Sequence, residues 1–157
     1  MKTEDSGTIV IDTPIGHFKI EAFKRRIAKA AFTDEPLADH NMPLLQTAGR
    51  QYRQYFKGER HYLQLPLGPM GTPFQQKVWL ALERLEFGKT CSYADIAAQL
   101  GTPKAVSAVA QAIGRNPIAI AIPCHRVIGQ DGQLAGYSWG TERKAWILDL
   151  EKRALAA

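Results

Sequence analysis

A thiol and an imidazole lie side by side in this chain, at Cys124 and His125, directly after a β-branched apolar stretch and Pro123. The thiolate is the strongest nucleophile that a side chain offers, and a neighbouring base can generate it near neutral pH. A free cysteine is also a common buried hydrophobic residue, so the dipeptide alone fits an inert core thiol equally well. The pair therefore indicates nucleophilic chemistry only if its surroundings support it.

The surroundings of this pair carry a longer pattern. Asn116-Pro117 comes first, then the run Pro123-Cys124-His125-Arg126-Val127-Ile128-Gly129, and then Gly136-Tyr137. This string resembles the active-site signature of the O6-alkylguanine-DNA alkyltransferases, the repair proteins also called methylated-DNA–protein-cysteine methyltransferases. The resemblance extends over about residues 72–151, and more loosely before them. It implies a single, irreversible transfer of an alkyl group from O6 of guanine in DNA to Cys124, with O4 of thymine as an open second substrate.

The resemblance also implies catalytic roles. Cys124 would be the nucleophile and His125 the base, with a water molecule bridging the two side chains. Glu151, near the end of the last helix, would orient the imidazole, and Asn116 would brace the turn around the cysteine. Without the resemblance, Glu151 reads as a solvated charge at a helix end, and Asn116 as part of an ordinary Asn-Pro turn.

The target base must leave the duplex to be attacked, so a pocket and a DNA-binding helix are expected as well. By resemblance the pocket is formed by Tyr93, Val127, Tyr137 and Ser138. The DNA-binding residues would be Lys104, Ser107, Ala108, Gln111 and Arg115, on a helix that enters the minor groove. Small residues on that helix fit tight packing against another helix equally well. Ser107 departs from the family, whose members usually carry at this position an arginine that enters the base stack.

The pattern along the chain predicts two regions. Residues 8–12, 17–21 and 27–32 are typical of strands and 41–57 of a helix, and a Pro/Gly-rich segment at 65–71 follows. After it, helices begin at Thr72, Ser92 and Thr102, the third running to about Ile113. Then come a strand at 118–122, a hairpin turn at 129–132 and a last helix from Thr141. By resemblance, residues 1–69 form a small ribonuclease-H-like α/β domain and 70–157 a mainly helical winged helix-turn-helix domain.

Composition bounds the protein further. The chain has 157 residues, a net charge of +5 and two cysteines, Cys91 and Cys124. Two cysteines are too few for a disulfide framework and fit a reducing cytoplasm, which also disfavours a Cys91–Cys124 disulfide. No apolar run is long enough to span a membrane. No ligand spacing indicates a metal and no motif a cofactor, so we expect neither, and we expect a monomer that binds double-stranded DNA containing O6-alkylguanine.

Two rival functions remain open at this stage. An alkyltransferase-like protein would bind the damaged base and recruit other repair factors without chemistry. Family members of that kind lack the cysteine, so Cys124 argues against this reading, whereas Ser107 keeps it open. A Cys-His hydrolase is the other rival, but the signature differs from those of the known peptidases. A hydrolase would also turn over beyond one equivalent.

Overall fold

The computed structural model describes residues 5–134 and 136–157. Two compact units divide the chain, the first ending at Met70 and the second beginning at Gly71. The division lies within the Pro/Gly-rich segment 65–71, one residue from the boundary that the sequence indicates.

The first unit contains a three-stranded antiparallel sheet. Its strands are β1 (Ser6–Thr13), β2 (Gly16–Phe23) and β3 (Arg26–Thr33), in the order β1-β2-β3. Alternate side chains of β2 are buried, as period-two patterning requires of a sheet with one covered face. The three predicted strands are therefore confirmed, each a few residues longer than predicted.

One helix, α1 (Pro43–Phe56), covers that sheet. Its buried aromatic residues meet those of the strands, with Phe18 4.9 Å from Phe32 and 4.8 Å from Tyr52 between ring centroids. Gly58 follows the helix with a φ of 76°, a left-handed conformation that suits glycine and ends the helix. The predicted helix is thus present, and its aromatic residues form the core of this unit.

The second unit is mainly helical. It contains α2 (Pro73–Glu83), a two-residue strand β4 (Cys91–Ser92), α3 (Tyr93–Gln99), α4 (Val106–Gly114), β5 (Val127–Ile128) and α5 (Thr141–Ala156). Thr72 and Gln75 form a capping box at the start of α2, and Ser92 and Asp95 form another at α3. Helix α4 packs against α2, where the Trp79 indole donates to the Ala112 carbonyl over 2.9 Å.

The third predicted helix begins later than its sequence suggests. Residues 102–105 form a turn, closed by a hydrogen bond from the Ala105 amide to the Thr102 carbonyl, and α4 starts only at Val106. The Thr102 amide is already bonded to the Ala97 carbonyl, which extends the end of α3 instead. Lys104 consequently precedes α4 and does not lie on it.

The predicted strand at 118–122 is wrong. This segment is a buried series of turns in which Ile120 has a φ of 73°. Its backbone groups pair locally: the Ala121 amide donates to Ala119 and the Ile122 amide to Ile118. The apolar residues correctly indicate that this segment is buried. A coil can be buried as well as a strand, provided that its backbone N–H and C=O groups find local hydrogen-bond partners.

The predicted hairpin is also wrong in part. Its turn exists, since the Gly132 amide donates to Gly129 and the Gly129 amide to Gln133. Strand β5, however, pairs in parallel with β4, and within residues 5–134 and 136–157 no returning strand pairs with it. None of the described helices is long and apolar enough to cross a membrane.

Candidate active site

The turn that carries the cysteine is held by Asn116. Its side-chain NH2 donates to the Ile122 carbonyl over 2.7 Å, and its side-chain oxygen accepts from the Ile118 amide over 2.9 Å. Asn116 is buried, so these bonds form in a dry environment where an unpaired amide would be costly. The asparagine thus joins both ends of the buried coil that leads to Cys124.

Cys124 opens a single 3₁₀ turn, Cys124–Arg126, that runs directly into β5. The thiol is buried, and burial raises the pKa of Cys124 to about 11, opposed in part by a hydrogen bond with Asn116 and by the charge of Lys144. The resting side chain is therefore a neutral thiol at pH 7. Nucleophilic attack from this position requires a base that can take the thiol proton.

His125 and Glu151 form a fully buried pair. The imidazole Nε2 lies 2.7 Å from Glu151 Oε2, and both side chains are 0% exposed. Burial lowers the pKa of His125, although Glu151 opposes this, so the ring is neutral at pH 7. Because a carboxylate can only accept, Nε2 must carry the proton and Nδ1 the lone pair. Nδ1 is buried and has no hydrogen-bond partner among the described residues, which makes it the basic nitrogen of the site.

Glu151 accepts from at least four N–H groups. His125 and the Arg126 Nη2 bind Oε2, whereas the Gly88 amide and the Arg126 Nε bind Oε1, all between 2.7 and 3.0 Å. Burial alone would raise the pKa of Glu151, but the hydrogen bonds and charges of His125 and Arg126 hold it far below its usual value. Glu151 is therefore ionised throughout the working range of pH.

Arg126 is buried and pairs with Glu151. Its guanidinium binds that carboxylate and donates to the Leu85 carbonyl over 2.8 Å. The ring of Phe87 lies 5.6 Å from the guanidinium carbon. Arg126 is thus the charge partner of the carboxylate.

Two of the predicted pocket residues lie near this centre, Val127 directly after the 3₁₀ turn and Tyr93 beside Cys124. Burial, and secondarily the charge of Cys124, raises the pKa of Tyr93, so this hydroxyl is within electrostatic reach of the nucleophile. The Tyr93 hydroxyl also packs on Gly136, where a Cβ would lie 2.8 Å from it. Tyr137 is buried with its ring 5.2 Å from that of Trp139, and the Ser138 hydroxyl donates to the Gly114 carbonyl over 2.6 Å. This bond ties the segment after Gly136 to the end of α4.

The predicted DNA-binding residues are all exposed, but they do not form one group. Ala108, Gln111 and Arg115 line a groove of about 370 Å³ between α4 and the beginning of α2, together with Thr72, Phe74, Gln75 and Ala112. Ser107 and Lys104 do not line this groove. Ser107 lies in the first turn of α4, and Lys104 lies in the turn before the helix.

Comparison with known proteins agrees with this geometry. A family model described as "6-O-methylguanine DNA methyltransferase, DNA binding domain" matches residues 73–153. The constitutive methylated-DNA–protein-cysteine methyltransferase of Bacillus subtilis is 45% identical over 152 residues, which cover 90% of this chain and 92% of the relative. The crystal structure of Mycobacterium tuberculosis O6-methylguanine methyltransferase has a TM-score of 0.86 and 38% identity, covering 95% of this chain and 94% of that one. The M. tuberculosis OGT structure in complex with DNA has a TM-score of 0.85 and 39% identity, over 94% and 93%.

The chain belongs to the O6-methylguanine-DNA methyltransferase family. The resemblance inferred from the Pro-Cys-His-Arg-Val run is thereby confirmed. In this member of the family, the candidate site also includes residues that sequence reasoning did not select.

Lys144 is the clearest of these. Its side chain is 1% exposed, and its ammonium donates to the Val127 carbonyl over 2.6 Å. Burial lowers the pKa of Lys144, whereas the charge of Cys124 opposes this shift, so the ammonium lies within electrostatic reach of the thiol. A signal for it did exist: Lys144, Ile147 and Glu151 recur at helical spacing on one face of α5. A lysine is rarely found on the buried face of a helix unless its ammonium has a polar or charged partner there.

Proposed function

We propose that this protein repairs DNA by moving one alkyl group from O6 of guanine to the sulfur of Cys124, once per molecule. The buried His125–Glu151 pair carries this proposal. It presents a neutral imidazole whose proton-free Nδ1 has no partner among the residues that the structure describes, in the residue next to a thiol that needs a base. A purely structural histidine would be expected to use both ring nitrogens when fully buried.

The transfer is a displacement at the alkyl carbon. His125 Nδ1 takes the Cys124 proton, directly or through one water molecule, and the thiolate forms a bond to the carbon while the bond from carbon to O6 breaks. Guanine leaves with the electron pair of that bond and receives the proton. The products are a thioether on Cys124 and ordinary guanine. Because a thioether is not hydrolysed under mild conditions, each chain acts once and irreversibly.

The pocket for the flipped base comprises Tyr93, Tyr137, Ser138 and the carbonyls of Cys124 and Val127. In this proposal Tyr137 packs on guanine, the Ser138 amide faces O6, and Tyr93 donates to the base. The two carbonyls accept from the exocyclic amine of guanine. Each already accepts one bond, from the Val127 amide and from Lys144 respectively, and each retains a second lone pair.

DNA would bind along α4 in the minor groove. The small side chains of α4, Ala108 among them, allow the close approach that a narrow groove demands. Gln111 and Arg115 stand beside that surface, so we assign them to the backbone of the duplex, and Lys104 to a more distant phosphate. The packing of α3 against α4 supports a helix-turn-helix arrangement, in which the turn at 129–133 would take the position of the wing.

We extend the proposal to the whole chain. Residues 1–69 would be the ribonuclease-H-like domain and 70–157 the DNA-binding domain, in a monomer. Cys91 and Cys124 are both free thiols in the structure, which suits a reducing cytoplasm. O4-alkylthymine would be a second substrate.

The test is alkyl uptake from duplex DNA carrying methyl-labelled O6-methylguanine. The wild-type chain should take up one methyl group per molecule, with the label on the peptide that contains Cys124. Cys124→Ser should bind the damaged DNA and take up nothing, because a hydroxyl is a far weaker nucleophile at neutral pH.

Cys91→Ser is the matched control. Cys91 is the only other cysteine in the chain. Burial also raises the pKa of Cys91 to about 11, so its thiol is as weakly acidic as that of Cys124. Its replacement should leave uptake at one methyl per chain. Label on Cys91, or transfer that persists in Cys124→Ser, would refute the assignment. Binding of damaged DNA without any transfer by the wild type would instead establish the damage-recognition alternative.

A further inference from the structure

The connector between α2 and β4, residues 84–90, contacts both Glu151, the partner of the His125 imidazole, and Arg126, the partner of Glu151. The Gly88 amide donates to Glu151 Oε1 over 3.0 Å, and the Leu85 carbonyl accepts from Arg126 over 2.8 Å. Phe87 places its ring against the same guanidinium. A short loop distant in sequence from the cysteine thus holds the far side of the carboxylate.

Two separate features of the structure favour glycine at position 88. Its φ is 81°, a left-handed conformation in which any other residue is strained. A Cβ at this position would also lie 2.0 Å from the Leu155 Cδ1 on α5, so any other residue requires the half-exposed Leu155 side chain to turn aside, and it would lie 3.8 Å from the Glu151 carbonyl. The backbone of Gly88 therefore packs directly on the helix that carries Glu151, which is why its amide can reach the carboxylate.

We propose that Gly88 is a positioning residue for the His125–Glu151 pair. Its amide fixes Oε1, so that the carboxylate keeps Oε2 directed at the imidazole Nε2 and keeps the ring in the tautomer whose Nδ1 is free of a proton. The inference rests on the proposed function, because it assigns Gly88 a role in activating the nucleophile. It adds a residue from outside both the 3₁₀ turn and α5.

The charges near the imidazole limit what this amide can do. Arg126 and Cys124 lie on its own turn, and Glu151 and Lys144 come from α5. The three charged residues of the connector, Arg84, Glu86 and Lys89, are all exposed, and Glu86 and Lys89 pair with each other at 3.5 Å. Gly88 can therefore act only through its hydrogen bond and through the position of its backbone.

The experiment compares Gly88→Ala with Gly101→Ala. Gly101 has a φ of 74° and open space where its Cβ would be, so alanine there introduces the same backbone strain without the collision. The first readout is the rate of Cys124 alkylation by iodoacetamide against pH, which needs no DNA. The second is transfer from the free base O6-benzylguanine.

Gly88→Ala should raise the pH of half-maximal alkylation and slow transfer by roughly 10- to 100-fold, by analogy with the loss of a group that orients a metal-binding histidine. Gly101→Ala should leave both readouts unchanged. Gly88→Ala with Leu155→Ala removes the colliding side chain, so it should restore the wild-type pH profile. Equal effects of Gly88→Ala and Gly101→Ala, together with an unchanged midpoint in the ester variant described next, would overturn the proposal.

A second variant removes the amide alone. Glycolic acid at position 88, introduced by translation in vitro, replaces the N–H with an ester oxygen and adds no atom that could collide. Oε1 then keeps only the Arg126 Nε as a donor, so the carboxylate is held less firmly towards His125, and the alkylation midpoint should rise as in Gly88→Ala. A midpoint that falls would mean that the amide only withdraws charge from Glu151, and an unchanged midpoint would mean that it has no role. Failure of the proposed function is separate, since it would appear as no methyl transfer by the wild type.

Discussion

Glu151→Gln should destabilise the second unit strongly, because it leaves a buried cation without its counter-charge. The carboxylate receives at least four N–H groups, and an amide can offer only one oxygen to them while directing its own N–H2 at the others. Arg126, whose side chain is 8% exposed, would remain charged. Breaking a buried ion pair from one side costs about 3–5 kcal/mol. With about 2–4 °C per kcal/mol for a chain of this size, the melting temperature should fall by roughly 6–20 °C.

A double-mutant cycle with Arg126→Met checks the cause. If the loss comes from the orphaned charge, each single variant should be severely destabilised and the double variant far less so than their combined effect. Urea denaturation at pH 7 gives the free energies of unfolding. Additive effects, or a loss below about 1 kcal/mol in Glu151→Gln, as for an exposed pair, would refute the reasoning.

The pH dependence supplies an independent sign. The pKa of Glu151 is lower in the folded chain than its ordinary value of 4.5, so its contribution to stability is complete above that value. It is lost as the pH falls through the folded pKa. The difference in stability between wild type and Glu151→Gln should therefore be constant from pH 6 to 8 and shrink below about pH 4.5. A difference that grows in acid would contradict an ionised, hydrogen-bonded carboxylate.

Two further predictions follow from the same site. Lys144→Met removes the cation that lowers the pKa of Cys124, so iodoacetamide should alkylate the thiol several-fold more slowly at pH 8. Lys144→Arg should retain most of the rate. An unchanged rate in Lys144→Met would mean that the ammonium has a purely structural role. Ser107→Arg adds a side chain long enough to fill the gap left by a flipped nucleotide, so it should raise transfer from duplex DNA and leave transfer from free O6-benzylguanine unchanged; equal changes in both would point to another role.

The features that could be predicted from the sequence are those with local causes. Both capping boxes join residues three positions apart, and helices α2 and α3 begin next to Thr72 and Ser92, where the sequence predicts helix starts. The alternation of polar and apolar residues in 17–21 is also a local pattern, and it correctly predicts a half-buried strand. The strand predicted at 118–122 is wrong because burial alone does not decide between a strand and a coil. The choice was made by Asn116, whose side chain replaces the neighbouring strand as partner of the backbone.

The site shows the same limit at longer range. The resemblance assigned His125 and Glu151 to one relay, and the structure places them 2.7 Å apart across 25 intervening residues of sequence without a detectable local signal. It could not supply the partners of Glu151. Gly88 contacts Glu151 through its backbone amide, which every residue but proline has, and Arg126 resembles an ordinary surface charge until the fold buries it.

The arrangement of buried charges gives a reason for this design. Lys144 and Glu151 are two turns apart on one face of α5, so a single helix brings a cation within reach of the thiol and an anion to the imidazole. In the proposed transfer the sulfur becomes negative and the imidazole positive, and each would then face the opposite fixed charge. Before and after transfer, the thiol or thioether and the imidazole are neutral, because the proton leaves with guanine. The buried charges are therefore the same at the start and at the end, and only the transition between them gains from Lys144 and Glu151, which is the condition for accelerating a step.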